Sequence, residues 1–162
     1  MRYHNITKDD MLNGDGLRVV LWLAGCDHCC PKCQNPVTWD PNGGLAFDSS
    51  AKEELFESLG KSYISGITFS GGDPLYFGSR LDLLDLIKEI KEKFPAKTMW
   101  LYTGYLWEEI KDLELVSYLD VLVDGEFIYE QMDNSLKWKG SANQRVIDVQ
   151  KTLATGEVVL HA

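Results

Sequence analysis

Apolar and polar positions along the chain form blocks that predict strands and helices in turn. Short continuous apolar runs bounded by glycine or polar turns are typical of buried strands, and leucine or isoleucine at helical spacing is typical of amphipathic helices. The pattern predicts strands at 19–23, 64–69, 98–102 and 119–123, with helices opening at residue 50 and spanning 83–94 and 106–115. Less regular apolar runs predict two further strands, at 145–149 and 157–160.

Capping and breaking residues set the boundaries of these helices. Ser50 followed by Glu53 matches a capping box, and Pro95 ends the helix at 83–94 because proline cannot continue a helical hydrogen-bond ladder. Strands that alternate with helices indicate βαβ units, so we expect an α/β fold with a mainly parallel sheet. Such folds bind ligands at the carboxyl ends of their strands.

A cluster of cysteines follows the first predicted strand. Cys26, Cys30 and Cys33 have the spacing C-x3-C-x2-C, and Cys29 adds a fourth thiol among them. Three thiolates can bind three irons of a [4Fe–4S] cube and leave the fourth iron open to a small molecule.

The cysteines alone leave other occupants open. Zinc could take four of these sulfurs, or three of them with His28. The two C-x2-C pairs of an ordinary zinc ribbon are, however, about 15–20 residues apart. Disulfides would close very small loops, and clustered cysteines in an intracellular chain suit metal better. The pattern favours an iron–sulfur cluster, then zinc, then disulfides.

Length and charge limit the class of protein. The chain has 162 residues, which suits a single domain over 1–162. Its formal charge of −9 argues against broad binding to a nucleic-acid backbone. We expect no membrane span, because no apolar run of about 18 residues occurs, and a cytoplasmic location, because the first residues lack a signal-peptide core.

A glycine-rich motif follows the second predicted strand. Gly71, Gly72 and Asp73 precede a proline, and by themselves they would predict a tight turn. Glycine also lets a backbone approach a ligand closely. Together with the cysteine cluster, the motif indicates a ligand site at the carboxyl edge of the sheet.

The combination of these motifs resembles the radical S-adenosylmethionine (SAM) enzymes, and more narrowly the small glycyl-radical activases of anaerobic ribonucleotide reductase. The resemblance covers nearly the whole chain. It rests on the segments 13–19, 25–35, 70–75, 100–105, 122–125 and 140–145. It implies a shortened, partial (β/α) barrel of the radical SAM type.

The resemblance also implies site residues. Cys26, Cys30 and Cys33 match the three cluster ligands, and no side-chain acid or base is implied. SAM would lie against Gly71, Gly72 and Asp73, and against Cys33 with its neighbours Lys32 and Gln34. Lys32 stands where many radical SAM enzymes have an aromatic residue, but a contact through the backbone would survive that change.

The activity implied is the reductive cleavage of SAM at the open iron, followed by formation of a glycyl radical on an anaerobic ribonucleoside-triphosphate reductase. A flavodoxin-type protein is the electron donor expected from the family. The alternatives are another radical SAM activase, of the pyruvate formate-lyase type, or a zinc-stabilised binding module without catalysis.

Four further residues carry weaker expectations. We expect Cys29 to be a bystander and His28 to be a polar residue that faces solvent. Asp124 precedes a glycine and is expected to form a turn, whereas Arg145 belongs to a basic stretch expected at the surface.

Overall fold

The computed structural model describes residues 1–33 and 35–161, and seven strands of this part form one sheet. The strands are β1 Arg2–Asp10, β2 Arg18–Leu23, β3 Leu45–Ala46, β4 Gly66–Gly71, β5 Thr98–Tyr102, β6 Val121–Asp124 and β7 Arg145–Asp148. The helices of the described part are α1 Ser49–Leu59, α2 Arg80–Lys93, α3 Trp107–Ile110 and α4 Val149–Thr155.

The centre of the sheet is parallel and its flanks are antiparallel. The order across the sheet is β3-β1-β2-β4-β5-β6-β7. Strands β2, β4, β5 and β6 run parallel, whereas β1 pairs antiparallel with β2 and β3, and β7 pairs antiparallel with β6. The α/β class is therefore confirmed, but a mainly parallel sheet describes only the centre. Within the described residues β3 and β7 do not pair, so the sheet is open.

The two faces of the sheet bury different kinds of side chain. One face packs against the helices through a large aliphatic core that includes Leu21, Phe69 and Ile87, each fully buried. The other face carries a smaller cluster around Trp100 and Val123, against which Trp138 packs. Burial of apolar area contributes about 25 cal/mol per Å², so the first face supplies most of the stability.

Arg18 lies fully buried on the second face and was not predicted to be a core residue. Its guanidinium donates to Thr68 Oγ1 at 2.9 Å, to Thr98 Oγ1 at 2.8 Å and to the Ile67 carbonyl at 2.8 Å. Burial lowers the pKa of Arg18 to about 10, so the side chain keeps its charge at neutral pH. It ties together the amino ends of β2, β4 and β5.

Several element boundaries differ from the expectations. Asp48, not Ser50, caps α1, because its carboxylate accepts from the Ala51 amide at 2.9 Å. The predicted helix at 106–115 is the short α3 followed by a 3-10 helix at Glu114–Tyr118. In place of a strand at 157–160 there is a single bridge, between Ile147 and Leu160.

Three elements, β1, β3 and α4, were not predicted at all. No helix in the described part of the chain is long and apolar enough to cross a membrane.

Candidate functional site

A cavity of about 400 Å³ lies at the carboxyl edge of the parallel strands. Trp22 of β2, Ser70 of β4 and Tyr102 of β5 contribute to its wall, and Trp22 and Ser70 are register partners. Because parallel strands end at the same edge of a sheet, the loops that follow them converge there. The cavity is therefore at the edge where the motifs place a ligand.

The cysteine loop, residues 25–33, is held at its start by the segment that follows it in the chain. The Gly25 amide donates to the Thr38 carbonyl at 2.7 Å, and the Cys26 amide donates to the Trp39 carbonyl at 3.0 Å. The Cys33 amide closes a turn onto the Cys30 carbonyl at 3.1 Å. These backbone bonds place the thiols at the cavity.

Three of the four thiols line the cavity. Cys26, Cys30 and Cys33 contribute to its wall, whereas Cys29 is exposed and is not part of the lining. Cys29 has a φ of 51°, which is the left-handed region. Within the described residues, no three histidine, cysteine or acidic side chains converge as a group that could hold a single metal ion.

The surroundings of Cys26 and Cys30 raise the pKa of these two thiols. Burial is the main cause for both Cys26 and Cys30, and it raises each pKa to about 11. Glu126 adds to the effect at Cys30, since its Oε2 lies 3.5 Å from Cys30 Sγ. Metal binding deprotonates such thiols outright. Three soft sulfur donors on the wall of one cavity fit a cluster with three cysteine ligands.

The glycine loop packs directly against the start of the cysteine loop. A Cβ on Gly71 would lie 2.4 Å from backbone atoms of Leu23, and a Cβ on Gly72 would lie 2.5 Å from the Gly25 carbonyl oxygen. Gly71 also has a φ of +112°, which disfavours other residues. Both glycines line the cavity, so their backbone is available to a ligand.

Asp73 turns its side chain away from the cavity. It is 2% exposed and is not among the lining residues. Its carboxylate accepts from the Leu75 amide at 2.9 Å, from Thr103 Oγ1 at 2.9 Å and from the Gly104 amide at 2.9 Å. The carboxylate oxygens are therefore already occupied by protein donors.

His28 completes this group and does not face solvent, so that expectation is wrong. Its side chain is 13% exposed, and its Nε2 lies 2.6 Å from Asp73 Oδ2. The ring packs edge-on against Tyr105 with centroids 4.7 Å apart. The hydrogen bond to Asp73 is the main reason that the pKa of His28 is raised.

The two residues that flank the last cysteine give less information. Lys32 is exposed, has a φ of 56° and places its Nζ 3.8 Å from the centroid of the Tyr129 ring. It is not part of the cavity lining. Gln34 lies outside the described residues.

The cover segment, residues 126–144, closes the cavity on the side away from the helices. Its contribution to the lining comes from Phe127, Asp133, Asn134, Leu136, Trp138, Lys139, Gly140 and Gln144. Gln144 holds the end of the segment, since its side chain accepts from the Gly140 and Ser141 amides and donates to the Gly125 carbonyl at 2.9 Å. The polar motif at 140–145 thus has a structural role.

Aromatic side chains form the cavity wall that is shared with the second face of the sheet. Trp138 packs edge-on against Trp100 with centroids 5.0 Å apart. The Tyr102 hydroxyl is buried and has no hydrogen-bond partner among the described residues. Burial raises the pKa of Tyr102, so the phenol is neutral at physiological pH.

Comparison with known proteins decides the family. The family model described as "4Fe-4S single cluster domain" matches residues 12–147. An anaerobic ribonucleoside-triphosphate reductase-activating protein of Enterobacteria phage T4 is 43% identical over 146 residues, which cover 90% of this chain and 93% of the relative. The chain belongs to the family of anaerobic ribonucleoside-triphosphate reductase-activating proteins.

Bacterial members of the reductase-activating family are similar to the same extent. The protein with this name from Escherichia coli K12 is 39% identical over 150 residues, covering 90% of this chain and 97% of the relative. The one from Vibrio cholerae is 39% identical over 148 residues, which cover 89% of this chain and 96% of the relative. The resemblance predicted from the motifs is confirmed, and the family model favours an iron–sulfur cofactor over zinc.

Sequence reasoning missed several residues that line this cavity. Trp22 and Ser70 could have been found, because each lies next to the end of a predicted parallel strand at the ligand edge. Trp138 gives no such signal, because it lies in the irregular cover segment and reaches the wall through tertiary packing alone.

Proposed function

We propose that this chain activates an anaerobic ribonucleoside-triphosphate reductase by the reductive cleavage of SAM at a [4Fe–4S] cluster. Cys26, Cys30 and Cys33 would hold the cluster and leave its fourth iron open. The product of activation is a glycyl radical on the reductase. The names of the relatives support the partner, and the parallel strands at the centre of the open sheet support a shortened, partial (β/α) barrel of the radical SAM type.

One observation carries the proposal. Three thiols and the backbone of Gly71 and Gly72 line the same cavity, while the fourth thiol, Cys29, is outside it. A site for a zinc ion bound by four cysteines would bring all four thiols together. A cluster with one open iron needs three thiols and adjoining space for a second ligand.

A cluster held by Cys26, Cys30 and Cys33 and reduced by the electron donor would supply the one electron needed to split SAM into methionine and a 5′-deoxyadenosyl radical, and that radical would take a hydrogen atom from a glycine Cα of the reductase. The chain contributes orientation and exclusion of water. The cover segment and the aromatic wall formed by Trp22, Tyr102 and Trp138 enclose the cavity. No side-chain acid or base is assigned.

The contacts to SAM are assigned mainly to backbone. Gly71 and Gly72 bring their main chain to the cavity wall and would receive the amino group. Backbone contacts at Lys32, Cys33 and Gln34 stay predictions. For Asp73 we propose an indirect role, since its carboxylate is occupied by donors from the surrounding loops.

Metal content and SAM cleavage test the first part of the proposal. The protein purified without oxygen should be brown and contain about four irons per chain. With dithionite and SAM it should form 5′-deoxyadenosine, and alanine at any of Cys26, Cys30 or Cys33 should abolish that product. Cys29→Ala is the matched control and should keep full activity. Colourless, zinc-loaded protein would establish the binding-module alternative instead.

Glycyl-radical formation tests the partner. The loaded protein, SAM, a reduced flavodoxin and a candidate reductase should together give the EPR doublet of a glycyl radical. Cleavage of SAM without that doublet would refute the reductase as partner and leave the SAM chemistry standing. A doublet on pyruvate formate-lyase in place of the reductase would establish the alternative activase.

A further inference from the structure

Asp73 is a junction between three loops of the site. Its own loop contributes the Leu75 amide, the loop after β5 contributes Thr103 and Gly104, and the cysteine loop contributes His28. Its backbone amide also donates to the Gly25 carbonyl at 2.7 Å. Asp73 therefore contacts the cysteine loop at two points, the His28 side chain and the Gly25 carbonyl.

His28 is the side chain by which the cysteine loop reaches this junction. A carboxylate accepts only, so Nε2 of His28 carries the proton in the 2.6 Å contact. Apart from Cys26, Cys30 and Cys33, His28 is the residue of the loop that lines the cavity. Its Nδ1 lies 3.8 Å from Glu126 Oε2, which is too long for a hydrogen bond.

Gly104 supplies an independent sign that the position of His28 is built into the fold. A Cβ on Gly104 would lie 2.7 Å from the His28 ring. Gly104 does not have a positive φ, so backbone conformation does not require glycine here. What requires a small residue is the space that the imidazole occupies.

We propose that His28 and Asp73 form a clamp that fixes the cysteine loop relative to the Gly71–Gly72 backbone. The clamp holds the loop in place before any cofactor binds and sets the separation between the three thiols and the glycine backbone. His28 is thus a positioning residue that acts through Asp73. Its effect on loop opening is independent of the proposed function, whereas its effect on SAM rests on it.

The first experiment uses cluster-free protein. His28→Leu removes the donor to Asp73, and His28→Gln keeps an N–H that can reach it. Loss of a hydrogen bond to a charged group changes an equilibrium constant, here that of loop opening, by a factor of about 10 to 100. We expect His28→Leu to speed hydrogen exchange in residues 26–33 by roughly 10- to 100-fold, and His28→Gln to restore most of the protection.

The chain offers a matched control. His161 Nε2 also lies 2.6 Å from a carboxylate oxygen, Asp15 Oδ2, in a pair that does not include the cysteine loop. His161→Leu should leave exchange in residues 26–33 unchanged. Gly104→Ala should act like His28→Leu, because the added methyl group displaces the imidazole from the other side.

The second experiment uses cluster-loaded protein and does not depend on turnover. SAM binding changes the EPR signal of a reduced cluster that it contacts, so a titration of that change measures SAM affinity. We expect His28→Leu to need roughly 10-fold more SAM with the iron content unchanged. His28→Gln should be close to the wild type.

The outcomes separate the clamp from the proposed function. Equal exchange rates in His28→Leu and His161→Leu would overturn the clamp. The clamp would also be overturned if residues 26–33 exchanged as fast in His28→Gln as in His28→Leu. If His28→Leu fails to fold, exchange in residues 26–33 is compared between Gly104→Ala and the wild type instead, and equal rates would overturn the clamp. If the wild type binds no SAM, the proposed function fails while the exchange result still stands.

Discussion

Asp124 and Arg145 form an ion pair across β6 and β7, where the cover segment leaves and rejoins the sheet. The Asp124 side chain is 1% exposed, and its Oδ1 accepts from Arg145 Nε at 3.1 Å. Asp124 also accepts from the Trp107 amide at 2.8 Å. Arg145 lies at the surface as expected, with its side chain 32% exposed, but it is tied to a buried carboxylate, so Asp124 is more than a turn former.

Loss of this pair should destabilise the protein. Arg145→Met leaves a buried carboxylate without its cation, so we expect urea denaturation of the cluster-free protein to show a loss of roughly 3 kcal/mol. Glu108→Gln removes only the exposed partner of Arg145, which lies 2.8 Å from the guanidinium, and should cost less than about 1 kcal/mol. Equal losses for the two variants would contradict a structural role for the pair of Asp124 and Arg145.

The thiols should differ in reactivity in the cluster-free protein. Only the thiolate attacks iodoacetamide, and a pKa of about 11 leaves Cys26 and Cys30 protonated at pH 8. Mass spectrometry should find exposed Cys29 alkylated first. Alkylation of Cys26 and Cys30 should rise roughly tenfold for each pH unit until the pH approaches 11. Fast reaction of Cys26 or Cys30 at pH 8 would show that the burial raising their pKa values is absent in solution.

A methyl group at Gly72 should separate the glycine loop from the cysteine loop. The Cβ would lie 2.5 Å from the Gly25 carbonyl oxygen and 2.6 Å from that of Thr38, neither of which can move without breaking the loop. We expect Gly72→Ala to lower the free energy of unfolding by roughly 1–3 kcal/mol and to reduce cluster loading. Gly78→Ala is the control, because its Cβ meets only the movable Tyr76 ring at 3.2 Å. A Gly72→Ala protein as stable as the control would show that the loops are not in contact.

The Tyr102 hydroxyl should matter for binding and not for folding. It is buried without a partner in the described part of the chain, and an unsatisfied buried hydroxyl costs about 1–3 kcal/mol. Thermal unfolding of cluster-free Tyr102→Phe should therefore occur at the same temperature as wild type or higher. If SAM or the reductase uses this hydroxyl, the variant should bind that ligand roughly tenfold more weakly. A destabilised variant would mean that the hydroxyl has a partner in the folded protein.

Local sequence signals were enough to predict the centre of the sheet. Strand β5 runs from Thr98 to Tyr102 as expected, because a continuous apolar run between proline and glycine defines a buried strand by itself. Strand β1 was missed because it lies near the edge of the sheet, and most of its residues are polar and at least partly exposed. Its pairing with β2 depends on partners that no local window contains.

The sequence by itself determined the donors and their order: three cysteines at C-x3-C-x2-C after a buried strand, and glycines after the next parallel strand. Only the tertiary structure decided which of these groups meet. It placed Cys29 outside the cavity, turned Asp73 away from it and brought in His28 across 45 positions of the chain. The physical reason is that the spacing of residues along the chain can be read from the sequence alone. The direction of a loop side chain depends instead on hydrogen-bond partners that distant loops supply.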